Sequence, residues 1–87
     1  MNVIYHRKFL KAFKKLPIKL QKQVSERIFL FQKDLYNPLL NNHSIEYTHP
    51  NWLSINITGD YRAFYEIVDE FIAIFLRVGT HSELYKK

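Results

Sequence analysis

The chain contains no cysteine, which removes disulfides, thiolate metal clusters and thiol nucleophiles together. It has only two glycines and three prolines, too few for long flexible loops or for a glycine-rich phosphate cradle. No apolar run approaches the roughly 18 residues that a membrane-spanning helix needs. Met1 to His6 is followed by neither an apolar h-region nor a cleavage site, so no signal peptide is expected. These absences lead to the expectation of a soluble, cytoplasmic, single domain over residues 1–87, with no membrane partner and no cofactor.

What is present is apolar and basic. Hydrophobic residues make up 47% of the chain and aromatics 16%, with seven Phe and six Tyr, enough for a folded core rather than a disordered segment. At 87 residues that core is modest, burying about 60–65% of the unfolded surface. Charge is uneven. Residues 1–33 hold nine of the 13 Lys and Arg but a single acid, Glu26. The rest of the chain is net acidic. A basic half suits an RNA, a ribosome or an acidic protein as partner; the alternative is a solvated helix face.

Hydrophobic period sets the element order. Asn2 to Tyr5 reads as a short strand. His6 to Leu16 reads as a helix with Phe9, Leu10, Ala12, Phe13 and Leu16 on one side and Lys8, Lys11, Lys14 and Lys15 on the other. Pro17 breaks it and opens a second helix, Ile18 to Leu35, striped by Leu20, Val24, Ile28, Phe31 and Leu35. Phe29 and Leu30 lie off the stripe. Leu39 to Trp52 is irregular, long for a connection, and hints at a functional loop or a short strand. Leu53 to Thr58 alternates, Gly59-Asp60 reads as a hairpin turn, Tyr61 to Val68 is the next strand and Asp69-Glu70 a second turn. Phe71 to Val78 reads as a central strand buried on both faces. The result is a compact α+β domain of order β-α-α-β-β-β, with two N-terminal helices on a small, mostly antiparallel sheet. The long crossover lets the first strand join in parallel.

The tail from Gly79 to Lys87 is the most informative segment. It puts His81 and Tyr85 directly after the most apolar strand. Histidine has the side-chain pKa nearest physiological pH. The four histidines, His6, His43, His49 and His81, have no recognised metal-ligand spacing, so no metal site is expected. If the last two strands form a hairpin, Arg62 lies opposite roughly Arg77–Val78 and meets the tail at one sheet end, with Asp60 and Asn56 in reach. A cation, an imidazole, a carboxylate and a phenol in one place suit metal-free RNA cleavage. There the 2′-hydroxyl loses a proton, the phosphorane needs positive charge and the 5′-oxygen gains a proton. Each residue also has a plain structural reading. His81 could be an exposed helix N-terminal residue, Tyr85 a sheet-edge packer, Arg62 a partner of Glu66, Asp60 a turn former, His43 an ordinary loop residue and Trp52 a core or rim anchor.

Several segments carry a resemblance: Phe9-Leu10-Lys11-Ala12-Phe13-Lys14-Lys15-Leu16-Pro17, Asn37-Pro38-Leu39 with Asn42-His43-Ser44-Ile45, Ile57-Thr58-Gly59-Asp60-Tyr61-Arg62-Ala63-Phe64-Tyr65, and Arg77-Val78-Gly79-Thr80-His81-Ser82-Glu83-Leu84-Tyr85. Together they resemble the RelE/ParE toxin superfamily, and within it the YafQ-like branch. The resemblance implies the toxin of a type II toxin–antitoxin pair. Such a toxin enters the ribosomal A site, cuts the mRNA there without metal, and is held in check by a cognate antitoxin. By position, His81 matches a catalytic histidine, a general acid or base. Tyr85 matches an aromatic site position, His43 a loop histidine, Asp60 a catalytic aspartate and Arg62 a phosphate-stabilising arginine. Asn56 departs from the pattern: YafQ-like members can carry a second histidine there, and an amide transfers no proton at neutral pH. Proton abstraction then falls to His81 or His43, with Arg62 as phosphate clamp. Lys8, Lys11, Lys14, Lys15 and Asn56 are candidate RNA- or ribosome-binding side chains. The competing expectations are a ParE-like, non-nuclease toxin that poisons DNA gyrase, or a degenerate antitoxin-binding module.

Overall fold

A computed structural model describes residues 1–85, so Lys86 and Lys87 at the end of the tail lie outside the described residues. The elements are β1 (Asn2–Tyr5), α1 (Arg7–Lys14), α2 (Ile18–Lys33), a 3₁₀ turn (Pro38–Leu40), β2 (His43–Ser44), β3 (Leu53–Thr58), β4 (Tyr61–Asp69), β5 (Ile72–Thr80) and α3 (His81–Tyr85). The five strands form one sheet in the order β1-β5-β4-β3-β2. β1 runs parallel to β5, and the other neighbours are antiparallel. The expected α+β architecture is observed, with two short elements, β2 and α3, added to it. Among the described residues no helix is long and apolar enough to cross a membrane.

α1 starts where His6 caps it: Nδ1 accepts the Lys8 backbone N–H at 3.0 Å, satisfying a donor the helix cannot. It ends in tight bonds from Lys15 N–H to Ala12 O and Leu16 N–H to Phe13 O, just before Pro17, which lacks the N–H to continue. Both helices pack on one sheet face. Phe9 from α1 and Val24, Ile28 and Phe31 from α2 meet Ile55, Ile57, Ala63, Tyr65, Ala73, Phe75 and Val78 in one buried cluster. Phe75 sits at its centre, 5.2 Å edge-on to Phe31 and 5.9 Å from Phe9. Off the α2 stripe, Leu30 joins the core, whereas Phe29 is exposed with the Lys33 ammonium 4.5 Å from its ring.

β5 is central, as expected, but shifted to Ile72–Thr80. Phe71 belongs to the turn and is 65% exposed. Asp69 causes the shift: its carboxylate accepts the Phe71 N–H at 2.7 Å, and a bulge between Ile67 and Asp69 displaces the turn by one residue. Nor is β5 buried on both faces. Ala73, Phe75, Leu76 and Val78 are buried, but Ile72, Ile74 and Arg77 are half-buried.

Candidate functional site

The β3–β4 hairpin builds one end of the sheet. Gly59 has φ +49°, a left-handed conformation that glycine adopts without a Cβ penalty. A bulge at Ile57, between the pairs Asn56↔Arg62 and Thr58↔Tyr61, tightens the approach to this turn. Arg62 is then fixed by its own turn: Nη1 donates to Gly59 O at 2.8 Å and to Tyr61 O at 3.0 Å. Its remaining donors make no hydrogen bond among those described. A guanidinium held through one nitrogen keeps the rest of its planar fork for a phosphate or carboxylate. It does not pair with Glu66 in any described bond. Across the sheet it stands opposite Gly79 rather than Arg77–Val78, because the hairpin turns one residue later than expected, after Asp69↔Ile72, and the two bulges in between offset each other.

α3 carries the next two groups. Thr80 and Glu83 form a reciprocal capping box. Glu83 accepts the Thr80 N–H and hydroxyl, both at 2.9 Å, and the Thr80 hydroxyl accepts the Glu83 N–H at 3.2 Å. These bonds, the backbone one first, hold the Glu83 carboxyl below its ordinary pKa. The His81 N–H donates to Asp60 O at 2.8 Å, tying the helix to the β3–β4 turn. Gly79 allows the helix to fold back closely, since a Cβ there would come within 3.3 Å of Glu83 Oε1 and 3.5 Å of Leu84 Cδ2. Four residues apart on one helix face, the His81 and Tyr85 rings lie 4.4 Å apart. Tyr85 also meets buried Phe64 edge-on at 5.3 Å. Burial, and then the neighbouring Tyr47, raise the Tyr85 phenol pKa, while the Arg62 charge and the facing Ser54 hydroxyl pull it back. Arg62, paired with Gly79, and α3, which begins two residues later, meet at this end of the sheet. Ser54 Oγ and Asn56 Oδ1 on this face are buried and lack a partner in hydrogen-bond geometry. His81 is thus both an exposed helix N-terminal residue and part of a cluster, and Tyr85 both packs on the sheet and joins it.

The irregular stretch expected between Leu39 and Trp52 contains β2 and an ordered loop on the same face. Ile45 N–H donates to Trp52 O at 3.0 Å and closes the loop. Thr48 and His49 N–H both bond Ile45 O, and Trp52 N–H bonds His49 O. Glu46 accepts the Asn51 N–H at 2.6 Å, holding Asn51 at φ +70°. The His49 ring stacks on Trp52 at 4.8 Å and 15°, and both rings contact Phe64. The Arg77 guanidinium lies 5.4 Å from the Trp52 ring. Tyr47, His49, Arg77 and Ser54 are site neighbours with no functional role in the sequence reading, and Trp52, expected as a core or rim anchor, sits half-buried among them. Arg77 and Ser54 could have been placed there by strand alternation with Arg62 and Asn56; the loop residues carry no periodic signal.

Other expected residues sit apart. His43 pairs with Ser54 in register on the edge strand. Its Nδ1–H donates to Asn41 O at 2.7 Å, and it lines a groove with Met1, Tyr36, Leu53 and Tyr65. No described contact joins it to Arg62, His81 or Tyr85. Asp60 contributes its carbonyl to α3, while its carboxylate has no described partner. On the helix side of this sheet end, Lys8, Lys11 and Lys15 line an open cleft of about 470 Å³ with Tyr61, Gly79 and Glu83. Lys14 is exposed but does not line it. Asn56 is half-buried. Among the described residues no group of His, Asp and Glu could hold a metal ion.

A fixed cation, an exposed imidazole and a phenol of raised pKa thus share one edge. Such a set can bind an anionic ester and move protons about it. A sequence profile of the family described as the ParE toxin of type II toxin–antitoxin system, parDE, matches residues 3–85. Among solved structures, the YoeB/ParE toxin from Agrobacterium tumefaciens superposes with TM-score 0.77 at 10% identity, covering 93% of this chain and 99% of that one. A chain of the RelB–RelE antitoxin–toxin complex from Methanococcus jannaschii gives 0.72 at 26% identity, with 94% of each chain covered. YafQ from E. coli strain BL21(DE3) gives 0.76 at 16%, with 97% of each covered. No curated protein sequence matches the chain.

Proposed function

The chain belongs to the ParE toxin family of type II toxin–antitoxin systems, and on that premise we propose that it is a ribosome-dependent, metal-independent mRNA endonuclease that inhibits translation in the cytoplasm and is silenced by a cognate antitoxin. The observation that carries this reading is the pinned Arg62 guanidinium beside the His81–Tyr85 pair. In the proposed reaction a histidine removes the ribose 2′-proton, O2′ attacks phosphorus, the P–O5′ bond breaks and the 5′-oxygen takes up a proton. Arg62 stabilises the charge on the phosphorane through the donors its turn leaves unused. His81 is the proton-transfer group at the cluster. His43, in register with Ser54 on the edge strand, is the second histidine proposed for proton transfer, reached from the cluster only by an RNA that extends to that edge. Tyr85 and Asp60 complete the site as hydrogen-bond donor and carboxylate. Asn56 binds without transferring protons, and Lys8, Lys11, Lys14 and Lys15 supply the electrostatic attraction to ribosomal RNA.

Arg62→Ala is expected to lower mRNA cleavage on purified translating ribosomes by about 10²–10³-fold, the usual loss of one charge-stabilising donor. Unchanged cleavage removes Arg62 from the mechanism. His81→Ala should relieve growth arrest while the protein still folds and binds its antitoxin. A second reading, gyrase poisoning, draws support from the ParE description of the matched family. It would leave mRNA intact and cause gyrase-linked DNA breaks.

A further inference from the structure

The loop from Ile45 to Trp52 does more than connect strands. Its backbone is tied by four internal bonds and by the Glu46 carboxylate, so its side chains are displayed from a preorganised frame. One edge of the frame is anchored on the sheet, where His49 and Trp52 rest on Phe64, which in turn carries Tyr85. Between the anchor residues and Ile45, Tyr47 projects 85% exposed. A large, flat, amphipathic side chain on a rigid loop is not explained by packing, because Tyr47 adds nothing to the core.

We propose that Tyr47 is a base-stacking side chain that holds a nucleobase of single-stranded RNA next to the phosphate bound by Arg62. Aromatic rings stack on bases without reading their edges, and single-stranded RNA exposes base faces that a duplex hides. The ring contacts from His81 through Tyr85 and Phe64 to His49 and Trp52 line the same face, and Arg77 on Trp52 places a second cation along it. The loop that bears Tyr47 is seated through His49 and Trp52 on Phe64, the ring that also carries Tyr85, so a base stacked on Tyr47 and a phosphate on Arg62 lie along one face. The inference rests on the ribonuclease reading and goes beyond it by naming a positioning residue for the substrate.

Trp52 is the one tryptophan, so its fluorescence reports this face alone. The test titrates a short, 2′-O-methylated single-stranded RNA, which cannot be cleaved, into the purified protein. Saturable quenching of Trp52 is expected for the wild type and not for a duplex of the same sequence. Tyr47→Ala should weaken binding by roughly 5- to 100-fold, and Tyr47→Phe, which keeps the ring, should bind within about twofold. Equal binding by the alanine variant, or no binding by the wild type, overturns the proposal. Loss of antitoxin binding in Tyr47→Ala with RNA binding intact overturns it too and marks Tyr47 as a protein contact. Wild-type mRNA cleavage on ribosomes with no quenching leaves the ribonuclease reading standing and removes only the platform; quenching without cleavage does the reverse.

Discussion

Removing the Glu83 carboxylate should loosen α3, and with it His81 and Tyr85, while leaving the core intact. The carboxylate accepts two hydrogen bonds from Thr80, each 2.9 Å long, and is itself exposed. Side-chain caps of this kind contribute about 1 kcal/mol, or roughly a fivefold change in an equilibrium. α3 is only five residues long and cannot persist undocked, so the loss appears as local opening rather than global unfolding. In Glu83→Ala, amide hydrogen exchange over His81–Tyr85 should therefore speed up about fivefold, with the β4 and β5 amides unchanged. Cleavage should fall by much less than exchange rises, because activity follows the closed fraction of α3 and exchange the open one. Glu83→Gln keeps an acceptor oxygen and should retain most of the protection. The pH dependence has a definite sign. Thr80 holds the Glu83 carboxyl below its ordinary 4.5, so its contribution is present above that value and is lost as pH falls through the folded pKa. The wild-type helix should loosen in acid and the glutamine variant should not. Unchanged α3 exchange in Glu83→Ala, or equal acid loosening in both proteins, would refute the capping argument.

Tyr65 donates to Asn42 Oδ1 at 2.5 Å, and Asn42 donates to Leu35 O; burial pushes the phenol up to about 12 from 10.0. A raised pKa means this stability is full below pH 10 and is lost as pH rises toward 12, so urea midpoints should fall in that window less steeply for Tyr65→Phe than for the wild type. Phe9→Ala, at a residue 1% exposed, should cost about 3–5 kcal/mol in urea unfolding, against about 0.5 or less for Phe29→Ala at its exposed position. Lys11→Glu with Lys15→Glu should weaken ribosome sedimentation at low salt and flatten its salt dependence; an unchanged slope would remove the cleft from the binding surface.

The helices and the three long strands were legible because period encodes them: Val24, Ile28 and Phe31 are all buried, and Leu53, Ile55 and Ile57 face the core. The ends were less so. Phe71 reads as strand by propensity, but the Asp69 side chain captures its N–H and makes it turn. β2 spans two residues, too short for alternation to show. α3 carries no apolar stripe; its signal is the Thr80–Glu83 spacing of a capping box, which reads easily once sought. At the site, Arg62, His81 and Tyr85 were expected at one sheet end and are found there, with the Arg62 register displaced because Asp69 captures Phe71 and sets the turn one residue later. His43, joined to them only by resemblance, stands apart. Tyr47 and His49 carry no sequence signal for the site, and Trp52 reads only as an anchor, because their place depends on backbone bonds within an aperiodic loop.

The most direct test of the proposed activity is to map mRNA 5′ ends genome-wide after brief induction of the wild type and of Arg62→Ala. Codon-phased cuts within translated regions, sharply reduced in the variant, are the predicted result. Intact messages accompanied by gyrase-linked DNA breaks would contradict it.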